Sequence, residues 1–233
     1  GGRIPHRRRS ERLILHMMWT AWSVRGDNRA MPASQTKLGR PREFDSDYAL
    51  EQAMRVFWAK GYEGASLADL IEAMGITRSS MYAAFGNKDE LFRLAVERYT
   101  EGPASYGIRA LSEPTAREVA EAILHGAAAA STRRETPHGC LGVQAALSAG
   151  ENGLTAQKVL VDWRQDGAAR LESRFQRARA EGDLPETEDP RTLATYITTV
   201  AYGIAVQAAT GRSEAELHRV ADVAMKAVSW SHG

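Results

Sequence analysis

Gly75-Ile-Thr-Arg-Ser-Ser-Met-Tyr-Ala-Ala-Phe-Gly-Asn-Lys-Asp-Glu-Leu91 is the stretch that decides how this chain is read. It crowds two serines, an arginine, a tyrosine and a lysine behind a glycine. A catalytic serine needs a base within reach and a shaped turn. No Gly-x-Ser-x-Gly elbow is present, and neither Ser79 nor Ser80 opens a Ser-x-x-Lys. Asn87-Lys88-Asp89 stands without a phosphate-holding Gly-x-x-x-x-Gly-Lys-[Ser/Thr] loop. An enzyme reading therefore has no constellation to rest on. The spacing fits two short helices around a turn. Ser66-Leu67-Ala68-Asp69 is a capping box that opens a helix to Met74. Gly75 forces the turn, and Thr77 caps a second helix that ends at Phe85-Gly86. Leu67, Leu70, Ile71 and Ile76 form the buried side, and Met81 and Phe85, four residues apart, pin the second helix. Arg78, Ser79 and Tyr82 are left facing outward.

That layout is a helix-turn-helix, whose second helix enters the DNA major groove with its N-terminal residues. Arginine can pair with guanine O6 and N7, serine bonds either partner in the groove, and Ala83 can meet a thymine methyl. Tyr82 and Lys88 suit phosphates. Lys88 also opens the next helix, where free backbone N–H groups favour an anion. Two packed helices with a merely solvated face would show the same geometry, so the pattern alone leaves both readings open.

The rest of the chain is helical in pattern, with almost no alternation of the strand type. Asp45 caps a helix carrying Ala49, Leu50, Ala53 and Phe57 and ending at Gly61. Asn87-Lys88-Asp89-Glu90 is a second capping box. Thr115 opens a helix to about Arg133, and Cys140 to Ala149 forms a shorter apolar helix. Thr155 opens a long helix to about Glu181, Asp189-Pro190 starts another that runs to Gly211, and Ser213 caps the last. The fold class expected is all-α: an N-terminal three-helix helix-turn-helix domain at 39–94, and a larger helical ligand-binding and dimerisation domain at 95–233. Residues 1–38 read as a basic extension without fixed structure. Met31-Pro32-Ala33-Ser34 resembles a fresh start, which suggests a native N-terminus at Met31.

The 233 residues are 43% hydrophobic and 25% charged, with a net charge of +1. That charge is unevenly spread. Residues 1–44 hold ten Lys and Arg against three Asp and Glu, while 45–233 hold twenty against twenty-six. A basic arm on an acidic body suits a polyanion, or is only a solvated tail. No apolar run approaches the length of a membrane span, and the N-terminus is a poor signal peptide. With one cysteine there is no disulfide framework. A cytoplasmic protein that needs no cofactor and no metal is the expectation.

Residues from about Phe44 to Leu94 resemble the DNA-binding domain of the TetR family of transcriptional regulators. The resemblance rests on Ala53, Phe57, Gly61-Tyr62, Ser66-Leu67, Ile71, Met74-Gly75-Ile76, Met81-Tyr82, Phe85, Asn87-Lys88 and Leu91. These fill the pattern G-[IV]-[ST]-x-x-x-[LM]-Y-x-x-F-x-[NS]-K-x-x-L, which is far more specific than a bare helix-turn-helix. The resemblance implies a homodimer on a palindromic double-stranded DNA operator, usually a repressor released by a small effector. It places Thr77, Arg78, Ser79 and Tyr82 on DNA-facing positions and Lys88 on a phosphate-contacting one. Ala83-Ala84 stand where bulkier residues are frequent, which limits base readout there. Gly39-Arg40-Pro41-Arg42 is similar to the arms of such chains, so Arg40 and Arg42 are expected in a minor groove.

The second half resembles the family in architecture, with a local echo in Gly139-Cys140-Leu141. A Gly-Cys-Leu at this point recurs in one branch of the family, and in some members of that branch the cysteine senses electrophiles or oxidants. Such a thiol should be accessible and near a cation or helix start, as His138 and Arg133-Arg134 would allow. A packing role for Cys140 is the alternative. Effector contacts are expected from Tyr106, Leu124, His125, Cys140, Gln144, Leu147 and Trp163, each of which could equally be core. The last two helices read as a dimer interface. Leu193, Ile197, Val200, Ala201 and Ile204 repeat at three and four on one, and Val220, Val223 and Ala227 on the other.

Overall fold

The computed structural model describes residues 44–144 and 153–230. Arg40, Arg42, Leu147 and the N-terminal extension lie outside the described residues. Those described belong to a single compact unit, Glu43–Gly233. Among the described residues ten helices run in order: α1 (Ser46–Gly64), α2 (Leu67–Met74), α3 (Arg78–Phe85), α4 (Lys88–Glu101), α5 (Ser105–Ala110), α6 (Ala116–Ser131), α7 (Leu141–Gln144), α8 (Leu154–Ala180), α9 (Pro190–Ala209) and α10 (Glu214–Lys226). No strand occurs among the described residues, and no helix among them is long and apolar enough to cross a membrane.

Local chemistry sets most helix starts. Asp45 accepts from the N–H groups of Asp47 and Tyr48 at the head of α1. Ser66, Asn87, Thr115 and Ser213 each close a full capping box. Asp189 caps α9 ahead of Pro190, whose missing N–H costs nothing at the first helical position. Two starts differ from expectation. Thr155 lies inside the first turn of α8, which begins at Leu154 without a side-chain cap. The short α5 has no side-chain cap either, so no sequence signal announced it. Gly61 ends regular α1 geometry at φ 71°, and the helical stretch runs on to Gly64 beyond that kink.

The three-helix head packs around α1 and α4. Phe57 meets Phe92 edge-on at 5.0 Å, and Trp58 meets Tyr99 edge-on at 4.9 Å. Leu70, Met74, Met81 and Phe85 close the same cluster from α2 and α3. Each large apolar side chain buried this way contributes roughly 1.5–3 kcal/mol. The cluster does not stop at the head. It continues through Tyr99 into Cys140, Leu141, Ala156, Leu160 and Ala205. The division expected after residue 94 falls inside α4, a continuous helix that carries the head at one end and reaches α8 at the other.

A second cluster fills the remaining body. The small residues of α6, Ala116, Ala120, Ala127 and Ala128, let it pack closely with Leu171 and Phe175 of α8, Ile197 and Ile204 of α9, and Leu217 and Ala221 of α10. Arg174 pins the α5–α6 connection to α8, with Nη2 donating to the carbonyls of Glu113 and Pro114 at 2.9 Å each.

This packing corrects the expected dimer stripe. Leu193, Ile197, Ala201 and Ile204 are buried in the chain's own core, and Val200 packs against it half-buried. Helix α9 is apolar on the side that meets α6, α8 and α10, so its three-and-four repeat marks the core. The outward apolar residues are Val206 on α9, and Val220 and Val223 on α10, with Ala227 exposed just beyond.

Candidate nucleic-acid interface and effector cavity

The turn between α2 and α3 is built from Gly75. It sits at φ 66°, a left-handed geometry that side chains disfavour, and its N–H bonds the carbonyl of Glu72 at 3.1 Å. The N–H of Ile76 reaches Ile71 O at 3.4 Å, completing the stop of α2. Lys60 of α1 pairs with Asp69 at 2.8 Å, fixing the α2 start against α1. That bond, with the Ser66 cap, pulls the Asp69 carboxyl from its usual 3.8 to about 2.

Helix α3 then presents its first turn to solvent. Thr77 accepts from Ser80 N–H at 3.2 Å, and its hydroxyl also lies 3.0 Å from Ser79 Oγ and 2.9 Å from Ser80 Oγ. Thr77 is thus engaged as a cap, and it orients Ser79. Arg78 is exposed and has no ion-pair partner among the described residues, so its five donors are free. Tyr82 is 47% exposed one turn later. Met81 is fully buried and Phe85 nearly so, which fixes the rotation of the helix. Ala83 and Ala84 are exposed and offer only methyl surface.

Lys88 opens α4, but its ammonium folds back over the Tyr62 ring, 4.3 Å from the centroid. Burial pulls its pKa below the ordinary ammonium range, while Asp89 and Glu63 pull it back up. The Tyr62 hydroxyl donates to Asp89 Oδ1. Asn87 Oδ1 accepts from Glu90 N–H at 2.9 Å. Tyr62 is the member of this site that sequence reasoning left out of the contact set. Its signal was the Gly61-Tyr62 pair, since the glycine lets the chain leave α1 and lay the ring under Lys88.

Below the head, a cavity of about 220 Å³ opens between α4, α5, α6, α8 and α9. Of the expected effector contacts, Tyr106 and Trp163 line it. The others are placed elsewhere. Leu124 is fully buried in the body core. His125 Nδ1 lies 2.7 Å from His218 Nδ1, and its Nε2 lies 3.5 Å from Asp222, so it joins α6 to α10. Gln144 donates to the His138 carbonyl at 3.0 Å and holds the loop before α7. Among the described residues no group of three or more His, Cys, Asp or Glu is placed to hold a metal. The lining residues that the sequence did not announce include Thr100, Asp166, Arg170, Thr198 and Tyr202. Thr198 and Tyr202 are four apart on α9, interleaved with the apolar repeat that drew the eye.

Cys140 is packed rather than accessible. It is 7% exposed, in the seam where head and body cores meet. Burial pushes its thiol up, against a hydrogen bond from the Tyr99 hydroxyl at 3.3 Å and the nearby Arg164 cation, which pull it down.

Comparison with known proteins places this geometry. Residues 49–95 match the family described as bacterial regulatory proteins, tetR family, and residues 118–224 match the tetracyclin repressor-like C-terminal domain. The HTH-type transcriptional repressor ComR of Escherichia coli (strain K12) is 31% identical over 190 residues, covering 81% of this chain and 90% of that protein. YezE of Bacillus subtilis (strain 168), an uncharacterized HTH-type transcriptional regulator, is 31% identical over 166 residues, covering 69% of this chain and 84% of that protein. Among solved structures, a cysteine mutant of the TetR family transcriptional regulator CifR, complexed with 26-bp double-strand operator DNA, is 41% identical. It covers 81% of this chain and 99% of its own, with a TM-score of 0.77. The exposed first turn of α3, set on a head of this build, is the helix-turn-helix of a regulator, and the chain belongs to the TetR family of bacterial transcriptional regulators.

Proposed function

We propose that this chain represses transcription as a homodimer on a palindromic operator, and that a small effector releases it. The observation that carries the reading is the first turn of α3, where Arg78 is exposed and unpaired on a helix locked in rotation by Met81 and Phe85. A free guanidinium held in register is what base readout in the major groove requires. ComR, named a repressor, and the CifR operator complex support the same direction. A dimer would present two such helices roughly 34–36 Å apart, one turn of DNA. Release fits a population shift, because a ligand that favours one head separation lowers affinity by its preference for that state. Such a protein would work in the cytoplasm beside the DNA.

A second reading adds thiol modification at Cys140, in the Gly139-Cys140-Leu141 branch. Two contacts point that way, the Tyr99 hydroxyl donating to the sulfur and the Arg164 cation nearby, and both work against burial, which raises the thiol overall. One experiment addresses both routes. Footprinting on the DNA upstream of the chain's own gene should show a protected palindrome, lost on adding an effector. Cys140→Ser should keep the footprint, and it should lose release by an electrophile only if the thiol route operates. Absence of any footprint at low salt contradicts the repressor reading.

A further inference from the structure

The cavity below the head is small, and its wall is mainly ring and aliphatic surface from Tyr106, Ile108, Ile123, Trp163, Leu171 and Tyr202. At about 220 Å³ it lies below the roughly 300–1,000 Å³ of typical drug-sized sites. Among the described residues two charged side chains line it, Asp166 and Arg170. They stand one turn apart on α8 and pair with each other at 2.7 Å. Both are more than half exposed, so the pair faces solvent, and the rest of the wall among the described residues carries no charge; a charged guest there would lose its water uncompensated.

The polar wall is just as selective. The Thr198 hydroxyl donates within α9, to the carbonyls of Ala194 and Thr195. Tyr106 and Tyr202 line the cavity, and neither hydroxyl has a hydrogen-bond partner among the described residues. Burial raises both phenols, Tyr202 to about 12, so both stay protonated at neutral pH. They remain O–H donors in search of an acceptor.

One contact couples this cavity to the head. Trp163 Nε1 donates to Thr100 Oγ1 at 2.8 Å, and both residues line the cavity. Thr100 sits in the last turn of α4, whose first residue is Lys88. The Trp163 ring is backed against Gly142, where even a Cβ would overlap it. That contact leaves the Trp163 ring no room toward α7, so the bond to Thr100 of α4 is the contact open to disturbance by a guest.

We infer that the effector is a compact, uncharged, largely apolar molecule with one hydrogen-bond-accepting oxygen, and that it signals through the Trp163–Thr100 bond. The inference rests on the effector-released reading above, and its test separates the two. Operator affinity of the unliganded chain is measured first, by fluorescence anisotropy; no binding there sinks the repressor reading itself. Three probes of one shape are then compared by thermal shift and by operator release: acetophenone, benzoate and benzylamine. Acetophenone should raise the melting temperature and weaken operator binding about fivefold or more. The two charged probes should need concentrations about tenfold higher, a difference of about 1.4 kcal/mol. Tyr202→Phe should weaken acetophenone binding severalfold. Trp163→Phe should still bind acetophenone but lose most of the release, and Thr100→Val, which removes the acceptor, should do the same if the first variant folds poorly. Benzoate or benzylamine acting as well as acetophenone overturns the effector class, as does no thermal shift with any probe. Undiminished release in both relay variants overturns the coupling.

Discussion

Single residues at the head divide into those that face out and those that hold them. Arg78 faces out; Asp69 holds. The Asp69 carboxylate joins Lys60 and the side chain and backbone N–H of Ser66, and its folded pKa near 2 lies below the usual 3.8. A carboxylate with a depressed folded pKa adds stability above the unfolded value, and loses it as pH falls through the folded one. Asp69→Asn should therefore lower the thermal midpoint at pH 7, and the gap to the parent chain should close between about pH 4 and pH 2. Melting curves at pH 7 and pH 3 check this; a gap that does not narrow at the lower pH contradicts the assignment. The cap at Ser66 was legible because Ser-x-x-Asp states it in four letters. The Lys60 pair was not, since it joins two helices whose mutual angle no local pattern gives. For the same reason Lys88 was legible as a helix-start cation, but its seat on Tyr62 was not.

Helices were legible where they carry caps and a single apolar stripe. α2, α3, α4 and α10 start where their capping residues place them. α9 was found, but its faces were assigned the wrong way round. A helix packed on three neighbours shows a core stripe that looks like an interface stripe, and only burial separates the two. The outward residues Val206, Val220 and Val223 are 40%, 47% and 67% exposed, an apolar group that a second copy would cover. Replacing Val220 and Val223 together by Glu should convert the dimer to monomer in sedimentation, without lowering secondary structure, and should weaken operator binding about tenfold or more because two half-sites no longer bind as one. A double variant that stays dimeric places the interface elsewhere.

At the scale of the whole molecule, the reading head reaches the cavity through one of the two core clusters, against which Trp163 of the cavity wall is packed. Tyr99 is the hub: Trp58 in the head, Cys140 beside α7 and Trp163 at the cavity each touch it. The sequence showed both ends of this line through motif and composition. It did not show the seam, because Tyr99, Cys140 and Trp163 are far apart along the chain and are apolar or neutral residues that any core could use. Operator affinity of Arg78→Ala, measured by anisotropy across a salt series, tests most directly whether α3 reads DNA. Losing a base contact should cost about 1–3 kcal/mol and relax sequence preference, with the melting temperature unchanged. Lys88→Ala should instead weaken all sequences alike and reduce the salt slope by about one per protomer. A folded Arg78→Ala chain that binds its operator as tightly and as selectively as the parent would contradict the account.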